Sequence, residues 1–118
     1  MKIKTILVVD DDQTQRNILQ KFLNKFDFNV ITAVDGLDCL SKTRKKGIDL
    51  IILDCIMPRL DGISTLRKLK QNKDTRSIPV IMISADSINA QGCRFLPKPF
   101  AVKDVLSIIE DFKNITVL

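Results

Sequence analysis

Apolar residues arrive in short dense runs, separated by longer stretches where they recur every three or four positions. Ile3 to Val9 is rich in β-branched residues and stops abruptly at Asp10, as a buried strand would. Ile18, Leu19, Phe22, Leu23 and Phe26 follow at helical spacing and predict an amphipathic helix over roughly residues 14–26. Asn29 to Ala33 reads as a second strand and Asp35-Gly36 as a turn. Leu37, Leu40 and Thr43 mark one face of a second helix that stops at Gly47. Leu50 to Leu53 is a third strand, followed by a loop through Pro58 and Asp61-Gly62 and a helix carrying Ile63, Leu66 and Leu69. Pro79 announces a fourth strand, Val80 to Ile83, and Arg94 to Leu96 has room for a short fifth. The last helix shows Val102, Val105, Leu106, Ile109 and Phe112 on one side.

Strands and helices alternate, and the strands are continuous apolar runs rather than half-polar ones. That combination predicts an α/β fold, a parallel sheet covered by helices on both faces. The 118 residues suffice for one core and not for two, so residues 1–118 are expected to form a single domain. No repeat or linker interrupts the pattern, and the chain stops a few residues after the last helix, so no output domain is expected. A hydrophobic fraction of 45% is that of a globular protein. No apolar run approaches the ~18 residues of a membrane span, and the N-terminus lacks the layout of a signal peptide, so the expected location is cytoplasmic.

Cys39, Cys55 and Cys93 form no CxxC pair, and their odd number argues against a disulfide framework. They read as reduced, mostly buried side chains. The chain has no histidine, which removes a zinc site, a Ser-His-Asp hydrolase and a phosphohistidine carrier. Any phosphohistidine chemistry must take its histidine from another molecule. The net charge is +5, with basic residues gathered in Lys42, Arg44, Lys45, Lys46 and again in Arg67, Lys68, Lys70, Lys73, Arg76. Two solvated helix faces explain these clusters most simply; a docking surface for an acidic partner is the sharper reading. Nucleic acid is disfavoured, because no DNA-reading module has room and there is no basic tail.

The chemistry gathers where the strands end. Asp10 and Asp11 follow the first strand, Asp54 the third, Ser84 the fourth and Lys98 the fifth. In a parallel sheet those ends share one edge, where ligands bind. Three carboxylates there repel one another, since two charges ~4 Å apart cost about 1 kcal/mol even in water. A hard divalent cation relieves the repulsion, and oxygen donors suit Mg²⁺. A carboxylate is also a nucleophile toward phosphorus, while a metal and an ammonium neutralise the transferred group. Asp12 reads only as a helix cap.

Val8-Val9-Asp10-Asp11-Asp12, Leu53-Asp54-Cys55-Ile56-Met57-Pro58 with Asp61-Gly62, Ser84-Ala85 and Lys98-Pro99-Phe100 together resemble receiver domains of two-component response regulators. The segments occur in that family's order and span nearly the whole chain. The resemblance implies a flavodoxin-like doubly wound five-stranded sheet of order 2-1-3-4-5. It implies that Asp54 is the phosphoacceptor, and that Asp11, Asp54 and the backbone carbonyl of Ile56 bind Mg²⁺, with Asp10 acting through water. Lys98 would pair with the phosphoryl group, Ser84 would move toward it, and Phe95 falls at the family's switch aromatic. Lys98-Pro99 resembles the site of the family's cis peptide. The implied function is a phosphorylation-dependent signalling switch without turnover of a separate substrate. Its donor would be a sensor histidine kinase or histidine phosphotransfer protein, and its output would pass to a downstream protein.

One stretch departs from the family. Thirteen residues separate Ser84 from Lys98, about two helical turns fewer than receivers usually have. The helix between strands 4 and 5 is therefore expected to be truncated or absent, with a turn or irregular loop around Asp86 to Gln91. Apolar surface near Ile83 and Phe95 would then want cover from a partner or a second copy of the chain, a homodimer. Ile56 and Asp86 stand at positions where other side chains could position attacking water, which suggests a long-lived phosphoryl group. Two alternatives remain at this point: a pseudo-receiver that binds without phosphotransfer, and a haloacid-dehalogenase-type phosphatase, whose DxDxT spacing Asp10 to Thr14 reproduces. Against the phosphatase, that family needs further acidic metal ligands after its lysine, and here only helix-borne acids such as Asp104 and Asp111 follow Lys98.

Overall fold

Each apolar run of the sequence becomes a strand of one parallel sheet. The computed structural model describes residues 2–45, 47–86 and 91–114, apart from the side chain of Lys45. The elements are β1 (Thr5–Val9), α1 (Gln13–Lys25), β2 (Asn29–Ala33), α2 (Gly36–Lys45), β3 (Leu50–Asp54), α3 (Gly62–Gln71), β4 (Val80–Ser84), β5 (Arg94–Pro97) and α4 (Val102–Lys113). The strand order is β2-β1-β3-β4-β5, and all pairings are parallel. β3 and β4 are buried along their whole length, while the edge strands β2 and β5 carry exposed positions. Residues of a central strand are thus apolar on both faces, which is why these runs show no polar alternation.

Strand alternation sorts the core into two layers. Ile6, Val8, Ile52, Ile81 and Ile83 pack beneath Leu19 and Leu23 of α1 and Val105 and Ile109 of α4. Leu7, Val9, Ile51, Leu53 and Met82 face Cys39 of α2 and Leu66 and Leu69 of α3. Each fully buried aliphatic side chain contributes about 1.5–3 kcal/mol. The buried stripes are narrower than the periodicity suggests, for Ile18, Phe26, Leu37 and Ile63 are exposed. Cys39 takes the core position expected of Leu37, one reason that cysteine is inert: burial pushes its thiol up to about 12.

Helix starts are set by carboxylates. Asp12 accepts from the Thr14 amide and Asp61 from the Ser64 amide. The Ala101 amide donates to Asp104 at the start of α4. Among the described residues no helix lies between β4 and β5; the expected turn around Asp86 to Gln91 falls largely in residues 87–90, outside the described residues.

The surface expected to be bare is largely covered. Ile83 is buried, because it pairs with Leu96 on the face roofed by α4. Met82 and Phe95 pair on the opposite face, where Met82 is fully buried and Phe95 half-buried. The methylenes of Lys70 lie beside Gly92, where a Cβ would stand 3.2 Å from Cε, and its Nζ donates to the Arg76 carbonyl at 3.0 Å. Burial lowers the pKa of this ammonium.

Gly62 opens α3 directly against β3. Its amide donates to the Cys55 carbonyl at 2.8 Å, and a Cβ there would stand 2.5 Å from the Asp54 carbonyl oxygen. At Gly47 a Cβ meets nothing within 4 Å. Gly62→Ala is therefore expected to destabilise the fold by about 1–3 kcal/mol, and Gly47→Ala to change it by about 0.5 kcal/mol or less. Urea unfolding followed by far-UV circular dichroism measures both, and equal stabilities would refute the close approach.

Candidate functional site

Because β1 and β3 are neighbours in register, Val9 opposite Leu53, their ends deliver Asp10, Asp11 and Asp54 to one place. Carboxylate oxygens of these three residues lie within 4.8 Å of one another. Asp10 and Asp54 are buried, and Asp11 is exposed. The Asp10 side chain accepts from the Asp12 amide at 2.9 Å, and the Asp10 carbonyl accepts from Arg16 Nη1 at 2.7 Å. The first turn of α1 thereby fixes the end of β1. Burial pushes the Asp10 carboxyl up to about 6, against the lowering effect of the Asp12 amide and with further upward pressure from Asp54.

Lys98 reaches this cluster from beyond β5. Its Nζ lies 2.9 Å from Asp54 Oδ1, and its amide donates to the Ser84 carbonyl at 2.8 Å. Burial lowers the Lys98 pKa, but the bond to Asp54 and the charges of Asp10 and Asp11 outweigh it, and the net shift is upward. The Lys98–Pro99 peptide is cis. Ser84 ends β4 and is buried; its Oγ accepts from the Asp86 amide at 3.2 Å. Burial raises the Cys55 thiol above its ordinary value.

The structure thus brings together Asp10, Asp11, Asp54 and Lys98, with Ser84 joined through the Lys98 backbone. Ile56 follows in the β3–α3 loop, its side chain 70% exposed. Phe95 lies three residues before Lys98 on β5, beside Met82 rather than in the cluster. Oxygen donors of this kind fit a hard divalent cation, and Lys98 adds a fixed positive charge beside them.

Residues 6–110 match the family model for the response regulator receiver domain. PilG of Pseudomonas aeruginosa is 37% identical over 113 residues, covering 89% of this chain and 84% of that protein. Response regulator MprA of Mycobacterium sp. strain KMS is 36% identical over 110 residues, but the match spans only 47% of its length. The response regulator TrrA of Thermotoga maritima, solved in complex with Mg(2+)-BeF, is 25% identical with a TM-score of 0.83, covering 92% of this chain and 98% of that one. This chain belongs to the response regulator receiver family.

One receiver-domain contact was not legible beforehand. Asp35 is buried at the start of α2, where it accepts from the Asp38 amide at 2.8 Å and is paired with Arg59. Arg59 sits in the β3–α3 loop with φ of 67°, a conformation that costs a non-glycine residue about 1 kcal/mol or more. The pair ties that loop to the β2–α2 turn, and both partners hold their place only through the fold. The Asp38 amide and then Arg59 lower the Asp35 pKa, against the opposing effect of its burial. The only signal in the sequence was an aspartate before Gly36, which reads as a turn.

The raised Asp10 carboxyl makes a stability prediction. A carboxyl held near 6 in the fold against 3.8 unfolded binds its proton more tightly when folded. Its charging therefore subtracts stability as pH rises through that window: no penalty below about 3.8, the full penalty above about 6. Without added divalent cation, Asp10→Asn should match wild type near pH 4 and exceed it by about 1–3 kcal/mol at pH 7.5. Urea unfolding at both pH values reads this, and an advantage independent of pH would refute it.

Proposed function

We propose that this receiver domain is a phosphorylation switch in which Asp54 accepts a phosphoryl group from a phosphohistidine. The donor is a sensor histidine kinase or a histidine phosphotransfer protein. The observation that carries the reading is Lys98 Nζ at 2.9 Å from Asp54 Oδ1, inside a cluster where Asp10 and Asp11 already converge. The Mg(2+)-BeF complex of TrrA supports placing Mg²⁺ there. Asp11, Asp54 and the Ile56 carbonyl are the proposed direct ligands, with Asp10 acting through water. When bound, Mg²⁺ supplies positive charge that offsets the clustered carboxylates and the phosphoryl oxygens.

A carboxylate oxygen of Asp54 forms the bond to phosphorus as the phosphorus–nitrogen bond of the donor breaks. The imidazole departs with the electron pair and takes a proton from water. Lys98 exchanges its bond to Asp54 for one to the incoming phosphoryl oxygens. Ser84, whose Oγ now takes the Asp86 amide, turns its hydroxyl toward the same oxygens. Phosphorylation adds nearly two negative charges, and the loops after β4 and β5 re-form around them. Phe95, half-buried at that edge, is positioned to follow. The signal leaves as altered binding at the β4–β5 edge, to a downstream protein or a second copy of the chain, and no separate substrate is turned over.

Incubation with phosphoramidate and Mg²⁺, read by intact mass, tests this reading. The expected result is one phosphoryl adduct that requires Mg²⁺ and is absent in Asp54→Asn. Lys98→Ala should slow its formation by about tenfold or more. Wild-type protein that stays unlabelled, while another receiver is labelled under the same conditions, would leave a binding module without phosphotransfer.

A further inference from the structure

The two basic clusters of the sequence meet in space. α2 and α3 lie side by side on one face of the sheet, and between their C-terminal ends runs an open groove of about 480 Å³. Arg44, Lys68 and Lys73 line it, with Gln71 beside them and Leu40 and Thr43 also contributing to its wall. The three cations are exposed, and among the described residues none is paired with a carboxylate. Lys42 is different, for it pairs with Asp38 at 3.2 Å, and Lys70 is spent on backbone carbonyls. The hydroxyls of Thr43 and Thr75 already donate to the Leu40 and Leu69 carbonyls, so the side-chain donors left for a ligand are those of the cations, Gln71 and Asn72. Lys46 and the side chain of Lys45 lie outside the described residues.

Cations in the last turns of α2 and α3 offset the helix macrodipoles, which carry about half a charge at each end. Three unpaired charges around one groove exceed that need, and Lys73 lies beyond the end of α3. Like charges lining one groove, with no carboxylate paired to them among the described residues, favour an anion there. The groove is open and polar rather than an enclosed apolar cavity of the sort that holds a small molecule. Arg67 and Arg76 extend the basic field along the same helix and the turn after it.

We propose that this groove docks an acidic segment of a partner protein, a short run of Asp and Glu side chains. Carboxylates meet Arg44 in bidentate fashion and the lysines as point charges. The site lies at the opposite sheet edge from Asp54, since the helices run antiparallel to the strands, and it works whether or not Asp54 is phosphorylated.

Fluorescence anisotropy of the full chain with a fluorescein-labelled oligoglutamate peptide tests the docking site. Arg44→Gln, Lys68→Gln and Lys73→Gln together should weaken binding by about tenfold. Lys21→Gln, Lys25→Gln and Lys103→Gln remove the same charge from the opposite face and should change it by about twofold or less. Lys73→Glu alone, in a turn, should weaken binding with the fold intact by circular dichroism. No binding to the wild type, equal losses in the two triple variants, or tighter binding of a single-stranded oligonucleotide of equal charge would each overturn the proposal. Asp54→Asn should bind the peptide as wild type does, so failure of phosphotransfer and failure of this site are read separately.

Discussion

The bond from Lys98 Nζ to Asp54 Oδ1 joins the residue after β5 to the end of β3, across the intervening β4. It forms only because parallel pairing brings the ends of these strands level and because the Lys98 amide is held on the Ser84 carbonyl. Asp54 and the two carboxylates beside it, Asp10 and Asp11, would otherwise stand as uncompensated repulsion at the rim of an apolar sheet. The layered core above and below β3 supplies the rigidity, and the cluster spends part of it. Burial first, and then the charges of Asp54 and Asp11, raise the Asp10 carboxyl at that edge.

What the sequence made legible was whatever depends on local pattern. Continuous apolar runs such as Leu50 to Leu53 announce a strand buried on both faces, and an acid at the end of such a run has one edge to go to. The fold class and the gathering of Asp10, Asp11, Asp54 and Lys98 follow from those two facts. Pairings across long separations were not legible: Asp35 and Arg59 are joined by tertiary structure alone, and nothing near either residue announces the other. Burial within a helix was half legible, since Leu37 and Cys39 are both apolar and only the approach angle of α2 decides which turns inward.

The shortened crossover shows why counting residues predicts absence better than consequence. The gap between Ser84 and Lys98 correctly leaves out a helix among the described residues. The bare surface inferred from it was placed near Ile83 and Phe95; strand alternation sends Ile83 to the side that α4 covers, while Phe95, on the other side, is half-buried. On that other side the methylenes of Lys70 lie beside Gly92, just before β5. A long amphipathic side chain can shield apolar surface while its ammonium reaches carbonyl oxygens at the rim.

Antiparallel helices and strands also polarise the molecule. Carboxylates crowd the edge where strands end, and Arg44, Lys68 and Lys73 stand at the edge where they begin. Such a separation contributes an electric dipole along the strand direction, and fields of this kind steer charged molecules before any side chains touch. A group of nearly two negative charges added at Asp54 would lengthen that dipole without changing the fold. The orientation in which this protein first meets its neighbours would then itself report the state of one carboxylate.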